Sequence, residues 1–333
     1  MTIKEDSVRK LRSESILVTG GSGFLGRRLV QCLSDNGLNI DICKGQPGKI
    51  ETVYVNRSVI YDLTSEASVK ELFESLNPTM VIHLAAAVGG IGANQSTPGE
   101  FFYKNIMMGV LCQEYARRTG VKKFITVGTV CSYPKYTQVP FLEEDLWNGY
   151  PEETNAAYGI AKKSLLVQAQ AYRQQYGFNG IHVLPANLYG PQDNFDDSTS
   201  HVIPAIIKKI VNAKQKNLES ITIWGDGSPT REFLYVDDAV RGIIKSAVYY
   251  DKPDPMNIGS GDEISIIELT KLIAKLIGFN GQILTDPTKP NGQPKRKLNT
   301  IKALSEIDFK SEVSLEVGLQ NTINWYTGHT KTI

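Results

Sequence analysis

A doubly wound α/β fold with a parallel sheet, followed by a smaller C-terminal α+β lobe, is the architecture these 333 residues predict. Three observations carry it. The apolar run Ser15-Ile16-Leu17-Val18-Thr19 enters Gly20-Gly21-Ser22-Gly23-Phe24-Leu25-Gly26, after which 27–33 reads as a helix. Short apolar runs then alternate with longer segments of helical period. That alternation stops after Tyr189-Gly190-Pro191. Right-handed crossovers turn such alternation into a parallel sheet.

The elements follow in order. Val53-Tyr54-Val55 reads as the second strand, and 36–50, rich in Gly, Asn and Lys, as a surface loop. Residues 65–76 predict a helix, because Leu63, Val69, Leu72, Phe73 and Leu76 fall near a 3.6 period. A buried strand at 80–85, a long helix at 99–118, a strand at 123–127, a helix at 154–176 and a strand at 180–184 complete the repeat. Beyond it, a helix at 202–213, the strand Ile221-Thr222-Ile223-Trp224 and the turn Gly225-Asp226-Gly227 break the pattern. Residues 233–250 return to strand-helix form, and 262–278 and 312–328 read as helices. The expected organisation is a mobile lead-in at 1–14 and a Rossmann-type domain at 15–190, with a return segment near 233–258. A second lobe is expected from 191–232 and 259–333.

The net charge is +1, with both signs mixed along the chain. Nucleic acid or membrane binding through charge alone is therefore not expected. Cys32, Cys43, Cys112 and Cys131 show neither CxxC spacing nor His partners at metal-ligand spacing. They read as reduced thiols of a cytoplasmic protein without a metal site. The charged start, Met1-Thr2-Ile3-Lys4-Glu5-Asp6, is no signal peptide, and no apolar run approaches the roughly 20 residues that span a bilayer.

Gly20, Gly23 and Gly26, between a strand and a helix, allow a tight turn and close approach of a pyrophosphate to a helix N-terminus. Ser22, Phe24 and Leu25 share that turn. After the second strand stand Asn56, Arg57 and Ser58 instead of an acidic residue. A cation and a hydroxyl suit a 2′-phosphate, so NADPH is the expected coenzyme. Asp62 and Leu63 are placed to cap an adenine by hydrogen bond and by packing.

Tyr158 and Lys162 stand at i and i+4 on one helix face. A nearby ammonium is expected to lower the tyrosine pKa, so that the phenol can protonate an oxygen as hydride reaches a carbonyl carbon. Thr129, at the end of the strand 123–127, would hold that oxygen. Together with the glycine turn, this combination resembles the extended short-chain dehydrogenase/reductase superfamily. His83-Leu84-Ala85-Ala86 is similar to its strand-end cofactor motif, which adds Ala85 and Ala86 to the expected cofactor contacts; Asn105 and His201 complete them.

Longer strings resemble the GDP-L-fucose synthase family. They include Ala87-Val88-Gly89-Gly90-Ile91-Gly92-Ala93-Asn94, Cys131-Ser132-Tyr133-Pro134-Lys135, Ser200-His201-Val202-Ile203-Pro204-Ala205 and Trp224-Gly225-Asp226-Gly227-Ser228-Pro229-Thr230-Arg231-Glu232-Phe233. The resemblance implies NADPH-dependent reduction at C4 of a GDP-linked 4-keto sugar, a hexose or a heptose, and inversion at C3 and C5. It assigns the inversion to Cys131 and His201, whose ordinary pKa values of about 8.5 and 6.5 bracket neutrality. It assigns substrate contacts to Asn187, Lys209, Trp224, Arg231 and Arg296. It also implies a homodimer through helices near 99–118 and 154–176, where Phe101, Phe102, Ile106, Met107, Leu165 and Leu166 could serve core or interface. The chain departs from the family where Thr129-Val130-Cys131 replaces Ser-Ser-Cys, where Ser132 replaces an apolar residue and where Lys209 replaces Arg. A C4 reductase of another GDP-linked 4-keto sugar such as a heptose, with or without the inversion, is the first alternative; a redox-neutral epimerase and a non-catalytic NADP-binding protein are the others.

Overall fold

The computed structural model describes residues 4–38, 41–42, 52–55, 61–289 and 291–330, with backbone alone at 41–42, 52–55, 91 and 330. Arg57, Ser58 and most of the expected 36–50 loop lie outside the described residues.

In chain order the helices are α1 (Glu5–Arg12), α2 (Phe24–Asp35), α3 (Glu66–Leu76), α4 (Ile91–Ser96), α5 (Pro98–Arg118) and α6 (Ala156–Tyr176). α7 (Val202–Gln215), α8 (Val236–Tyr249), α9 (Ile266–Ile277), α10 (Ile301–Ile307) and α11 (Leu315–Thr330) follow. The strands are β1 (Ile16–Thr19), β2 (Asp41–Ile42), β3 (Thr52–Val55), β4 (Met80–His83), β5 (Lys123–Val127) and β6 (Gly180–Pro185). β7 (Asn187–Tyr189), β8 (Ser220–Trp224), β9 (Thr230–Tyr235), β10 (Met256–Ile258), β11 (Glu263–Ser265) and β12 (Gln282–Asp286) complete the set.

The main sheet has seven parallel strands in the order β10-β6-β5-β4-β1-β3-β2. Strands near its centre are apolar on both faces, because helices cover both. Ile16, Val18, Ile82, Ile125 and Val183 pack on one side with α2 and α8 residues such as Leu29 and Ile243. Leu17, Val81 and Phe124 pack on the other with α3 and α5 residues such as Leu72 and Cys112. From β1 the chain runs to the edge strand β2, returns to β3 beside β1, and then crosses to β4 and winds outward through β5, β6 and β10, so the switch point lies between β1 and β4. A crevice at the strand C-termini is the ligand position such topology creates.

The second lobe has its own core of Ile203, Ile207, Ile210, Leu269, Ile273, Leu319 and Ile323. It carries a three-stranded sheet, β11-β9-β7, and a parallel pair, β12-β8. The strand that opens the expected return segment, β9, pairs with β7 in this small sheet, whereas α8 and β10 rejoin the main domain, and α10, expected in the second lobe, packs on the main core too through Ala303 and Ile307. The sequence does not separate these cases, because both sheets bury apolar strands.

The expected mobile lead-in is corrected. Residues 5–12 form α1, which buries Val8 and Leu11 one helical turn apart against the main core. Ser7 and Asp6 hydrogen-bond to the Tyr249 hydroxyl at 3.1 and 3.0 Å. Charges on the outward face hid this short apolar stripe.

Among the described residues, no helix is long and apolar enough to cross a membrane.

Candidate active site

The glycine turn after β1 is held by geometry that side chains would destroy. Gly20 has φ +72°, and a Cβ there would meet the Ala85 backbone nitrogen at 2.7 Å. A Cβ on Gly26 would overlap the Gly20 carbonyl oxygen. Gly23 is the N-cap of α2 and offers no side-chain cap, which leaves the first-turn N–H groups at the crevice uncapped among the described residues. That cradle fits the pyrophosphate of a dinucleotide. Ser22, Phe24 and Leu25 are each half-buried around it.

β4 ends beside this turn. The Ala85 amide donates to Thr19 Oγ1 at 3.3 Å, leaving half-buried Ala86 at the crevice edge. Asn105 is buried beneath: its amide accepts from the Ala87 N–H at 3.0 Å and donates to the Ala87 and Phe101 carbonyls at 2.9 and 2.7 Å. Its polar atoms therefore clamp the 85–87 backbone. Leu63 is buried in the core under α3, while the exposed Asp62 carboxylate accepts from the Thr64 amide and hydroxyl.

β5 delivers the next group. After Val127 the chain makes a 3₁₀ turn at Val130–Ser132, capped by Thr129, whose Oγ1 accepts from the Cys131 N–H at 3.1 Å. Ser132 donates to the Gly159 carbonyl at 3.0 Å, which explains a hydroxyl at an otherwise apolar position. Gly159 is required: a Cβ would overlap the Cys131 carbonyl, so α6 can press against this turn only through glycine. Val130 is buried in the main core and does not face the crevice.

That contact brings Tyr158 to Thr129, with which it shares a hydrogen bond. Tyr158 keeps some solvent access yet is surrounded by protein, as expected of a cleft wall. Desolvation pushes its pKa up, the nearby Cys131 adds to this, and the Thr129 hydrogen bond offsets part of it. The expected lowering by Lys162 is thus not found: desolvation sets the direction, and the group that opposes it is Thr129. Lys162 is 1% exposed, donates to the Ala85 carbonyl at 3.5 Å, and burial lowers its pKa to about 8.

The second lobe contributes cations. Arg296 is buried, donates through Nε to Gln293 Oε1 at 3.1 Å, and places Nη1 3.4 Å from Cys131 Sγ. Arg231 donates to the Thr230 carbonyl at 2.8 Å; burial depresses its pKa, and the neighbouring Arg296 depresses it further. Among the described residues, neither guanidinium has a carboxylate ion-pair partner. Two desolvated cations beside a thiol make a pocket suited to an anion.

The other expected residues are spread around this centre. His201 is the N-cap of α7, open to solvent but crowded enough that desolvation lowers its pKa. The 87–94 segment docks behind it, with the Gly90 N–H on the Thr199 carbonyl at 3.1 Å. No hydrogen bond joins His201 to Cys131 among the described residues. Asn187 donates to the Glu232 carbonyl at 2.8 Å, and Lys209 to the Thr222 carbonyl at 2.6 Å. Trp224 is 57% exposed, with the Lys289 ammonium 5.8 Å from its ring centre, so it is no part of the lobe core.

Gln293 was not legible in the sequence. It is 2% exposed, and its amide donates to the Pro134 and Lys135 carbonyls at 3.3 and 3.0 Å while accepting from Arg296. It fastens the Cys131 loop to the cation from the other lobe. A glutamine in a Gly-, Pro- and Lys-rich loop carries no local signal for such a role.

Comparison with known proteins agrees with this geometry. Residues 16–259 match the NAD dependent epimerase/dehydratase family. A GDP-L-fucose synthase of Sinorhizobium fredii is 40% identical over 93% of this chain and 94% of its own. Among solved structures, a GDP-6-OMe-4-keto-L-xylo-heptose reductase from C. jejuni superposes with a TM-score of 0.85 at 26% identity, covering 94% of this chain and 97% of that one. A GDP-L-fucose synthetase from Naegleria fowleri bound to NADP gives 0.83 at 29% identity, covering 95% of each chain.

Proposed function

The chain belongs to the GDP-L-fucose synthase family within the NAD-dependent epimerases/dehydratases, and from that premise we propose that it converts GDP-4-keto-6-deoxy-D-mannose to GDP-L-fucose with NADPH. The observation that carries the reading is one turn holding two chemistries: Thr129 meets Tyr158, and two residues on Cys131 meets Arg296. When bound in the glycine cradle, NADPH supplies a hydride. Tyr158, kept as a neutral phenol by desolvation, donates the proton that O4 takes as C4 is reduced. Lys162 stabilises the phenolate left behind, and Thr129 orients O4. The C4 carbonyl acidifies the protons at C3 and C5. Cys131 as thiolate removes such a proton and His201 returns one to the opposite face, while Arg231 and Arg296 hold the anionic nucleotide portion.

A GDP-linked 4-keto heptose is the second reading, favoured by the superposition on the heptose reductase. The exposed Phe102 and Tyr103 on α5 and Val167 on α6, with Tyr150 in the segment before α6, support a homodimer through these helices.

One experiment addresses substrate and chemistry together. The protein is incubated with each 4-keto sugar nucleotide and NADPH in D₂O, and the products are read by NMR. Stoichiometric NADPH oxidation with deuterium at C3 and C5 is the expected result for the hexose. No oxidation with any hexose or heptose substrate refutes the reading. Cys131→Ser should abolish deuterium uptake; undiminished uptake removes the thiol from the inversion.

A further inference from the structure

The main sheet carries a row of polar side chains that the chemistry above does not use. Thr19 lies opposite His83, His83 opposite Thr126, and Thr126 opposite His182, across β1, β4, β5 and β6. All are fully buried at 0% exposure. Strand alternation puts them on the α5 and α6 face, two residues after Leu17, Val81 and Phe124 on their strands. Thr19 Oγ1 and His83 Nδ1 satisfy each other at 2.8 Å. His83 Nε2, Thr126 Oγ1 and both ring nitrogens of His182 have no protein partner among the described residues.

Lys162 stands over this row. Its charge acts on both His83 and His182, and the Cys112 thiol from α5 faces it as well. Burial first, and the ammonium second, hold both imidazoles neutral, His182 with a pKa lowered to about 3. At the far end, the His182 ring lies so close to Gly128 that a Cβ there would overlap Nε2. The row thus runs from the glycine turn to the residue before Thr129. Orphaned polar groups in a sheet interior are costly, and native proteins satisfy nearly all of them, by protein or by ordered water. Neighbouring strands lie about 4.8 Å apart, a gap one water closes with two hydrogen bonds.

We propose that Thr126, His182 and His83 hold a short chain of internal water against the Lys162 ammonium, which makes them positioning residues for the Tyr158–Lys162 pair. The inference rests on the reduction chemistry proposed above. Neutral anchors solvate the ammonium without competing for its proton. Burial lowers the Lys162 pKa to about 8, and solvation by such water keeps the ammonium charged to higher pH than burial alone would.

The test uses the full-length protein without added nucleotide. Titration of Lys162 is followed by NMR of ¹³Cε-labelled lysine and assigned through Lys162→Arg. Thr126→Val and His182→Leu should each lower the midpoint by about 0.5 pH unit or more, as the ammonium loses solvating water. His182→Asn, which keeps a donor and an acceptor, should restore it. With NADPH and substrate, the alkaline limb of kcat should move down by the same amount. A purely structural role changes thermal stability and leaves the midpoint in place; an unmoved midpoint in both variants overturns the inference. Because the titration needs no turnover, a wild type that oxidises no NADPH would refute the proposed function without deciding this question.

Discussion

The glycine cradle and the cation pocket face the same crevice and are built on opposite principles. The cradle, at 20–26, is made of backbone: absent side chains, a left-handed residue and uncapped N–H groups. It buries no charge, and what it holds is fixed by shape. The pocket around Cys131 is made of side chains from distant segments. Arg231 and Arg296 are brought together there in low-dielectric surroundings, Lys162 is buried separately beneath the crevice against the Ala85 carbonyl, and none of the three has a carboxylate ion-pair partner among the described residues. Such groups weaken the folded state unless a ligand compensates them. The cradle should therefore matter to stability and coenzyme affinity together, whereas the pocket should set stability against function.

The largest expected effect breaks that opposition at Lys162. Its folded pKa of about 8 lies below the ordinary lysine value of 10.5. The unfolded chain thus binds the proton more tightly, and the lysine destabilises the fold throughout the range below pH 8. That cost fades as pH rises from about 8 to 10.5. Lys162→Met should be more stable than wild type by on the order of 3 kcal/mol at pH 6.5, by denaturant unfolding, with the gap closing above pH 8. The same variant should lose roughly two to four orders of magnitude in NADPH oxidation. Unchanged stability at pH 6.5 would mean that internal water already compensates Lys162 in full.

The cradle should respond the other way. In Gly26→Ala the new methyl meets the Gly20 carbonyl and Gly21 Cα, backbone that cannot step aside. A loss of about 1–3 kcal/mol is expected, together with weaker NADPH binding by fluorescence titration. Full stability with full affinity would show that the turn can shift and that the glycine is not needed for close approach.

The same contrast explains what the sequence revealed. The cradle is local: a strand, three glycines at fixed spacing and a helix lie within 15–33, so spacing alone locates it. Tyr158 and Lys162 are likewise one turn apart on one helix. Their electrostatics were not legible, because desolvation depends on what α5, β4 and β6 stack around them. Gln293 and the Thr126–His182 row were invisible for a related reason. Each acts through pairings between segments far apart in the chain, and neither residue type is unusual in its own neighbourhood. α1 was misjudged because two buried apolar residues among eight do not outweigh flanking charges in a composition reading.

Arg296→Lys gives the smallest and most discriminating effect. A guanidinium presents Nε to Gln293 and Nη1 to Cys131 at once, at 3.1 and 3.4 Å. An ammonium keeps the charge but cannot hold both contacts in that plane. If the pocket works by charge alone, the variant should retain near-normal affinity for the GDP-sugar. If it works by geometry, kcat/KM should fall about tenfold, near 1.4 kcal/mol, with KM carrying most of the change. Deuterium uptake should slow as well, because Gln293 also holds the Pro134 and Lys135 carbonyls that shape the Cys131 loop. The geometric outcome is expected. Arg296 is already tied to a buried glutamine before any ligand arrives, and that tie orders the side chain in advance, which a mobile lysine cannot reproduce.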